Sequence, residues 1–528
     1  MDTDVLIVGA GPTGLMLANQ LARHGVRALI IDRHAGPSLQ TRALGVQART
    51  MEIYAQLGII DDALELGKRA TGANLWAGGR RTAHIPIGDI GQELSPYPFL
   101  LILGQDDNER LMGKRLAELG GAVRWNTELV GLAQHADHVA ATLKQSDGST
   151  IEINAAWVAG CDGARSAVRE LSTIEFVGAP YEHVFFVADT DMTGPMVPDE
   201  LNVYLWLEGF HLFFPMRGKN HWRIVGIVPE ELRGRDQLTF DHVIPSVRQE
   251  AGAGMNFKAC SWFSTYRIHH RRAVRFRDRR CFLLGDAAHI HSPVGAQGMN
   301  TGLQDAYNLA WKLALVVSGR ASDALLDSYE AERVPVAERL LNTTDRAFSL
   351  IVSNSRLAGL MRTAVLARLA AFAMRFDRVR KLAFLTISQT GIQYREGPLS
   401  QALSALAAEA PQPGDRFPWM RLKWLTHGAE SLFQHLDDTC FHLLVFGQPS
   451  TAFEAGQFGE LLHVHRISED VANNTELARL HVPKPSFYLI RPDGYIGLAG
   501  TKLDATAVSR YLAERVHLRS AAPSGLPA

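Results

Sequence analysis

A glycine-rich turn near the N-terminus most limits what this chain can fold into. The apolar residues 5–8 (VLIV) predict a β-strand. Directly after this strand stand Gly9, Gly11 and Gly14, and an apolar helix follows. A second apolar strand ends at Asp32, about twenty residues further on. In this arrangement the glycines allow a tight turn and a close approach to a pyrophosphate, and the acid binds ribose hydroxyls. The pattern predicts a βαβ unit that starts a doubly wound sheet and binds a dinucleotide.

Composition and charge narrow the choice of partners. The chain has 528 residues, too many for one core, and its 54 basic and 55 acidic residues almost cancel. No basic block points to nucleic acid, so we expect small-molecule partners. The 4 cysteines show no metal-ligand spacing, which predicts a cytoplasmic protein without a metal site. The apolar start is interrupted and too short to span a bilayer, so we expect no signal peptide and no membrane anchor.

Two later stretches repeat the pattern of a strand that ends in a tight polar turn. The first is CDGARS at residues 161–166, and the second is GDAAHIHSPVGAQGMN at residues 285–300. Between them, residues 201–218 and 221–229 alternate in polarity and are rich in aromatic side chains. This alternation predicts a largely antiparallel sheet inserted into the nucleotide-binding fold.

The glycine turn alone does not distinguish FAD from NAD, because both cofactors use it. The motifs GAGPTG at residues 9–14, CDGARS and GDAAHIHSPVGAQGMN stand in this order and at wide spacing. Together they resemble the single-component FAD-dependent aromatic hydroxylases, which include p-hydroxybenzoate, phenol and polyketide hydroxylases. The resemblance covers residues 1–345.

The resemblance implies which residues bind FAD. Asp286 maps onto the acid that binds the ribityl chain, and the residues after Pro293 map onto a helix whose amino end faces the flavin ring. The physics agrees, since a helix amino end favours the negative charge of reduced flavin. His289 and His291 are expected to orient backbone. The full set of expected FAD contacts is Gly9, Gly11, Pro12, Thr13, Gly14, Asp32, Arg33, Arg42, Gln105, Asp162, Gly285, Asp286, Pro293, Gly295, Gly298, Met299 and Asn300.

The resemblance also implies that NADPH or NADH binds transiently, without a Rossmann domain of its own. Arg42 and the arginine-rich run at residues 267–280 are candidates to meet its phosphates. A solvated face explains that run equally well. The CDGARS motif, with Asp162 and Arg165, serves both FAD support and nicotinamide docking in the family.

The implied reaction is hydroxylation of a phenolic or polycyclic aromatic ring by O2 through a C4a-hydroperoxyflavin. Tyr266 lies near the position where phenol hydroxylases place a substrate-contacting tyrosine. His211, ordered water and a group on the substrate are the other candidates for proton removal. Phenol hydroxylases carry an aspartate where this chain has Leu44, so their acid-base arrangement is not expected here. The candidate substrate wall is Tyr204, Trp206, Phe213, Pro215 and Trp222. Core packing is the alternative for each of these aromatic residues.

The predicted fold is α/β, with a discontinuous Rossmann-like FAD-binding domain, an inserted antiparallel substrate domain and a C-terminal thioredoxin-like domain. The FAD-binding domain is expected at residues 1–72, 96–176 and 274–345, and the substrate domain at 73–95 and 177–273. A helical connector at 346–409 precedes the thioredoxin-like domain at 410–520, which has Cys440 but no CxxC motif. Within the connector, residues 355–380 favour packing or a subunit contact, with membrane-surface binding as the alternative. A homodimer is left open.

Two other functions remain compatible with the sequence. A Baeyer–Villiger monooxygenase on the same fold leaves no clear sequence mark. A flavin-binding protein without turnover, acting as a ligand carrier, belongs to a different class and is disfavoured by the intact motifs. The sequence patterns of flavin-dependent halogenases are absent.

Overall fold

The computed structural model describes residues 1–38, 43–206, 209–232, 234–235, 237–252, 254–291, 297–352, 372–424, 428–448 and 455–519. The predictions for Arg42, Pro293 and Gly295 fall outside these residues, as does most of the amphipathic stretch at 355–380. Among the described helices, none is both long and apolar enough to cross a membrane.

The predicted βαβ unit forms the centre of an eight-stranded sheet. Strand Thr3–Val8 lies between Ala28–Ile31 and Thr150–Gly160 and runs parallel to both. Val5 and Ile7 are fully buried, as expected for a strand covered on both faces. The sheet is completed by Val123–Arg124, Glu128–Gln134, Val139–Lys144, Arg277–Asp278 and Cys281–Leu283.

Helices cover this sheet and connect its strands. Helix Pro12–Arg23 packs against both Gln105–Glu118 and Gly298–Val317. The last of these is buried along most of its length and lies in the main hydrophobic core. The remaining helices of this region are Ala48–Leu57, Ile60–Leu66, Ile87–Gly91, Ala167–Leu171 and Asp327–Val352. A small three-stranded sheet consists of Gly45–Val46, Lys68–Ala70 and Leu100–Ile102.

A second eight-stranded sheet is mainly antiparallel. Its two longest strands, Phe176–Thr193 and Asn256–Ala273, pair with each other over most of their length. Strand His289–Ile290, from the GDAAHIHSP stretch, pairs with the second of them and thus joins the two large sheets. The other strands are Ala73–Ala77, Arg80–Ile85, Leu201–Leu205, Phe210–Pro215 and His221–Ile227, with helix Phe240–Ala251 against one face.

The C-terminal region contains a five-stranded mixed sheet. A hairpin turns at Asp493-Gly494, since Ser486–Ile490 pairs antiparallel with Ile496–Gly500 and Gly494 has φ +78°. Helix Asp377–Ile387 precedes this region. Its other elements are strands Gln401–Ala402, Arg421–Lys423, Ala429–Ser431, Phe441–Phe446 and Leu462–Ile467 and helices Val471–Arg479 and Ala505–Glu514.

Candidate functional site

A cavity of about 530 Å³ lies at the carboxyl ends of the central parallel strands. This edge is where open α/β sheets bind nucleotides. The strands end at Val8 and Ile31, and both residues line the cavity. Six of the predicted cofactor contacts are brought together in its lining, namely Gly9, Gly11, Asp32, Arg33, Gln105 and Asp162.

Each of the three glycines in the first turn is explained by a different structural requirement. Gly9 has φ +101°, and a Cβ there would lie 2.5 Å from the carbonyl oxygen of Cys161. A Cβ at Gly14 would overlap the carbonyl oxygen of Gly9. Gly11 differs, because a Cβ built there would meet no described atom within 4 Å. The backbone at Gly11 therefore offers a ligand a close approach to the amino end of helix Pro12–Arg23.

Asp32 joins the ends of the first two strands at the cavity. One carboxylate oxygen accepts a hydrogen bond from the backbone N–H of Ala10 at 2.8 Å, and the other accepts one from His34 N–H at 2.9 Å. These bonds fix the carboxylate where a ribose of a bound dinucleotide would lie.

The CDGARS turn places Asp162 on the opposite side of the cavity. Its Oδ2 accepts hydrogen bonds from the N–H groups of Ala167 and Val168 at 2.6 and 3.2 Å. Its Oδ1 is buried and has no hydrogen-bond partner among the described residues. Burial raises the pKa of Asp162. An unsatisfied acceptor beside the cavity fits a ligand that carries hydroxyl donors.

The GD motif forms a close-packed cradle against the first helix. Gly285 has φ +58°, and a Cβ there would lie 2.7 Å from Oγ1 of Thr13. A Cβ at Gly302 would overlap the same oxygen atom. Asp286 is exposed between the buried residues Gly285 and Ala287, so its carboxylate is turned away from the core. This orientation fits the ribityl contact expected for Asp286.

Arg169 ties the CDGARS turn to the GD motif. Its guanidinium donates hydrogen bonds to the carbonyl oxygens of Ala287 and Ala164 at 2.9 and 2.8 Å. It also lies 4.0 Å from the centre of the Phe176 ring. The two motifs, which are more than a hundred residues apart, therefore share one rigid support.

Asp305 is a residue of the site that the sequence reasoning missed. Its carboxylate accepts hydrogen bonds from Gly285 N–H at 3.0 Å, from His289 at 2.8 Å and from Arg333 Nε at 2.6 Å. Burial alone would raise the pKa of Asp305, but Arg333 and His289 outweigh it and hold the pKa below its ordinary value. The sequence feature that could have identified Asp305 is an acidic residue within the apolar run GLQDAYNLAW.

The last part of the GDAAHIHSPVGAQGMN signature forms the start of a helix, which begins at Gly298. Asn300 is fully buried, and its side chain accepts from Gln47 N–H at 2.9 Å and from Thr50 Oγ1 at 2.7 Å. It also donates to the carbonyl oxygen of Gly45 at 2.8 Å. Asn300 thus braces the strand Gly45–Val46, whereas Met299 is partly buried beside Asn108.

The predicted wall residues lie on the helix-covered face of the antiparallel sheet. Tyr204, Phe213 and Trp222 are buried in a core formed with helix Phe240–Ala251. Trp206 contacts His211, with ring centres 4.1 Å apart, and Pro215 is paired with Trp222. Core packing, the alternative considered from the sequence, describes their positions.

Tyr266 lies on the other face of the same sheet. It packs with Phe185, Leu205, Phe210 and Ile227. Further along this face, Leu201, Phe214 and Met216 pack against Leu44, Ala70, Leu100 and Ile102, which lie in or beside the small three-stranded sheet. The face that carries Tyr266 is therefore the one turned toward the cofactor-binding region.

His211 is separated from Tyr266 by the thickness of the sheet. It is fully buried, and its Nε2 lies 2.9 Å from Oε2 of Glu250 on the covering helix. Burial lowers the pKa of His211. The structure does not bring the two predicted catalytic side chains to one place.

Several arginines of the run at 267–280 are engaged within the protein. Arg272 pairs with Glu338 at 2.8 Å, and Arg277 pairs with Asp327 at 2.5 Å. Arg280 donates to the carbonyl oxygen of Ala136 at 2.9 Å. These contacts favour a structural role for that part of the run.

Replacing Asp32 with alanine is expected to weaken FAD binding without unfolding the protein. Loss of hydrogen bonds to a charged group costs about 1.5–3 kcal/mol, or roughly 10–150-fold in Kd. The measurement is a fluorescence titration of the apoprotein with FAD. Asp4→Ala is the control, because Asp4 lies at the far end of the same strand pair in an exposed pair with Arg27. Unchanged FAD affinity in Asp32→Ala would contradict the assignment of Asp32.

Comparison with known proteins gives a family. Residues 2–344 match the model of the family described as FAD binding domain. A 6-methylpretetramide 4-monooxygenase from Streptomyces rimosus is 34% identical over 97% of this chain and 93% of its own length. A pentachlorophenol 4-monooxygenase from Sphingobium chlorophenolicum is 33% identical over 67% of this chain and 66% of its own length.

Solved structures agree with the sequence relatives. An anhydrotetracycline hydroxylase from Streptomyces rimosus superimposes with a TM-score of 0.79 at 28% identity, over 99% of this chain and 100% of that one. An aklavinone-11 hydroxylase, solved with FAD and aklavinone, superimposes with a TM-score of 0.80 at 25% identity, over 98% and 99% of the two chains. The chain belongs to the FAD-dependent aromatic monooxygenases, enzymes that use NAD(P)H and O2 to hydroxylate aromatic rings.

Proposed function

We propose that this enzyme hydroxylates a fused-ring phenolic substrate that lies between FAD and the sheet face carrying Tyr266. The observation that carries the proposal is the position of that face. It is aromatic around Phe185 and Phe210, and it is turned toward the cofactor-binding region. Flat apolar side chains of this kind suit a planar polycyclic ring.

The extent of the sequence matches supports a fused-ring substrate over a single ring. The relatives named for 6-methylpretetramide and anhydrotetracycline match 97% and 94% of this chain. The relative named for pentachlorophenol matches only 67% of it. Two relatives that share nearly the whole chain are thus named for polycyclic compounds.

The proposed role of Tyr266 is to hold the substrate by its phenolic oxygen. When bound, FAD supplies the transfer of one oxygen atom from O2 to the ring, using electrons from NAD(P)H. Burial raises the pKa of Tyr266, and Arg223 opposes this only in part, so the hydroxyl stays protonated at neutral pH. Tyr266 therefore donates a hydrogen bond to the substrate and does not act as a base.

The surrounding apolar side chains have the second task of excluding water. Leu205, Phe210 and Ile227 beside Tyr266 are apolar, and the nearby Arg223 charge is balanced by Asp189 at 2.6 Å. A dry wall protects the oxygen-transfer step from hydrolysis and strengthens the hydrogen bond from Tyr266.

The proposed division of the chain follows the sequence boundaries. The FAD-binding domain comprises residues 1–72, 96–176 and 274–345, and the substrate domain comprises 73–95 and 177–273. We further propose that the five-stranded C-terminal sheet belongs to a thioredoxin-like domain without redox chemistry. This is supported by its mixed sheet and by Cys440 being the only cysteine after residue 281.

A comparison of two tyrosines on opposite faces of the sheet tests the proposal. Tyr266→Phe is expected to lower hydroxylated product per NAD(P)H by about tenfold, because the lost hydrogen bond no longer positions the ring. Tyr204→Phe is the control, since Tyr204 is buried on the helix-covered face of the same sheet. The measurement is product mass increased by one oxygen, compared with total NAD(P)H consumed, on a panel of single-ring and fused-ring phenols.

Each outcome of this test is informative. Loss in Tyr204→Phe with normal coupling in Tyr266→Phe would place the substrate on the helix side and overturn the proposal. Coupled turnover of single-ring phenols alone would overturn the fused-ring assignment. A lactone or ester product would indicate Baeyer–Villiger insertion, and FAD binding without any stimulated NAD(P)H oxidation would indicate a carrier.

A further inference from the structure

The C-terminal hairpin turn carries a motif that the monooxygenase chemistry does not explain. The residues are RPDG at positions 491–494, between strands Ser486–Ile490 and Ile496–Gly500. A turn of this composition is usually exposed, yet Arg491 and Asp493 are each only 1% exposed. A fully buried arginine and aspartate in a hairpin turn require partners elsewhere in the fold.

Those partners lie on two helices of the FAD-binding region. Arg491 binds both carboxylate oxygens of Glu332, at 2.5 and 3.0 Å, and also pairs with Asp493 at 2.5 Å. Asp493 accepts hydrogen bonds from Trp311 Nε1 at 3.2 Å and from Asn308 at 3.3 Å. The turn thus contacts helix Asp327–Val352 through Glu332 and helix Gly298–Val317 through the other two residues.

The next residue along the helix connects this contact to the flavin cradle. Arg333 follows Glu332 and donates to Asp305 at 2.6 Å and to the carbonyl oxygen of Thr301 at 3.1 Å. Asp305 in turn holds the N–H of Gly285, the residue before Asp286. Two sets of buried polar contacts, joined by the peptide bond between Glu332 and Arg333, therefore connect the C-terminal turn to the GD motif.

The buried charges in these two sets of contacts balance one another, so each contact depends on the others. The cations Lys312, Arg333 and Arg491 face the anions Asp305, Glu332 and Asp493, and all six are at most 2% exposed. Lys312 completes the group through a 2.8 Å contact with Glu332. Removing one member leaves an opposite charge buried without compensation, so its neighbours must shift or admit water.

We propose that the Arg491–Asp493 turn is a positioning element of the FAD site, which acts through Glu332 and Arg333 on Asp305. The C-terminal region then contributes to cofactor retention without contacting the cofactor. This inference rests on FAD binding, which the family establishes, and does not depend on the proposed substrate.

The test compares two buried arginines that both reach from the C-terminal region to the FAD-binding region. Arg491→Met removes the contact with Glu332. Arg416→Met is the matched control, because Arg416 is buried and lies 3.7 Å from Glu52 of the FAD-binding region, but has no contact with Glu332 or Arg333 among the described residues. The readouts are the Kd for FAD, by titration of the full-length apoprotein, and the melting temperature of the apoprotein.

We expect the two variants to differ in their affinity for FAD but to lose stability alike. Both variants lower the melting temperature, but only Arg491→Met raises the Kd for FAD, by about tenfold. The proposal would be overturned if both variants lowered the melting temperature equally and the Kd for FAD of each stayed within about twofold of wild type. If Arg491→Met fails to fold, Arg491→Lys serves instead. Arg491→Lys keeps the positive charge but cannot bind both carboxylate oxygens of Glu332. Its Kd for FAD should therefore lie above that of wild type and below the tenfold increase expected for Arg491→Met. A Kd equal to that of wild type would again overturn the proposal.

Discussion

Replacing Asp305 with alanine is expected to lower the free energy of unfolding by about 3–5 kcal/mol. Asp305 is fully buried and is the carboxylate that pairs with Arg333. Its removal leaves the Arg333 guanidinium buried and uncompensated, and it also releases the N–H of Gly285. The substitution therefore combines a core defect with a displaced cofactor cradle, and we expect FAD to be lost on purification.

Urea unfolding of the apoprotein measures the first effect, and flavin absorbance of the purified protein measures the second. Asp327→Ala is the control, because Asp327 pairs with Arg277 but its own side chain is 78% exposed, so the loss should not exceed about 1 kcal/mol. Similar losses of unfolding free energy in the two variants would contradict the assigned role of Asp305.

This stabilisation has a defined pH dependence. The pKa of Asp305 is lowered in the folded protein, so ionised Asp305 stabilises the fold above its ordinary pKa of about 3.9. The contribution is lost as pH falls below that value. The difference in unfolding free energy between wild type and Asp305→Asn should therefore shrink on acidification and stay constant through neutral pH.

The cofactor half of the site was largely predictable from the sequence because its requirements are local. A tight turn needs Gly9, a close backbone approach needs Gly11, and helix packing needs Gly14, all within one short stretch. Asp32 follows at a spacing set by the length of one helix and one strand. Local geometry of this kind appears directly as a pattern of residue types.

The substrate half was less predictable because both faces of the strands are apolar. In strand Phe210–Pro215 one face carries Phe210, Leu212 and Phe214, and the other carries His211 and Phe213. Successive strand residues point to opposite faces of the sheet. An error of one residue in assigning the faces therefore exchanges the predicted substrate-facing residues with the core residues. The alternation in polarity was enough to predict the strands, but it did not identify which face is turned toward the cofactor-binding region.

The ionic network escaped prediction for a different reason. Asp305 and Arg333 are separated by 28 residues, and Glu332 and Arg491 by 159. No periodic pattern links residues at such distances, and their pairing follows only from the packing of three elements. What the sequence did offer was the anomaly of charged residues within apolar stretches, which are rarely buried without partners.

Replacing Gly11 with valine is expected to abolish FAD binding while leaving the apoprotein folded. Gly11 has φ −70° and ψ −177°, which valine adopts readily, and its Cβ would meet no described atom within 4 Å. The space that the side chain would fill is the approach to the amino end of helix Pro12–Arg23. Since the pyrophosphate must reach backbone N–H groups there, we expect the Kd for FAD to rise by about a hundredfold or more.

Two further glycines make this prediction specific. Gly14→Val should prevent folding, because its Cβ would overlap the carbonyl oxygen of Gly9. Gly113→Val should change neither folding nor FAD affinity, because Gly113 also has open space but lies on helix Gln105–Glu118 outside the cavity lining. Melting temperature separates Gly14→Val from the other two variants, and FAD titration separates Gly11→Val from Gly113→Val. If Gly11→Val binds FAD as wild type does, the pyrophosphate does not lie at this turn, and the assignment of the cavity to the dinucleotide is wrong.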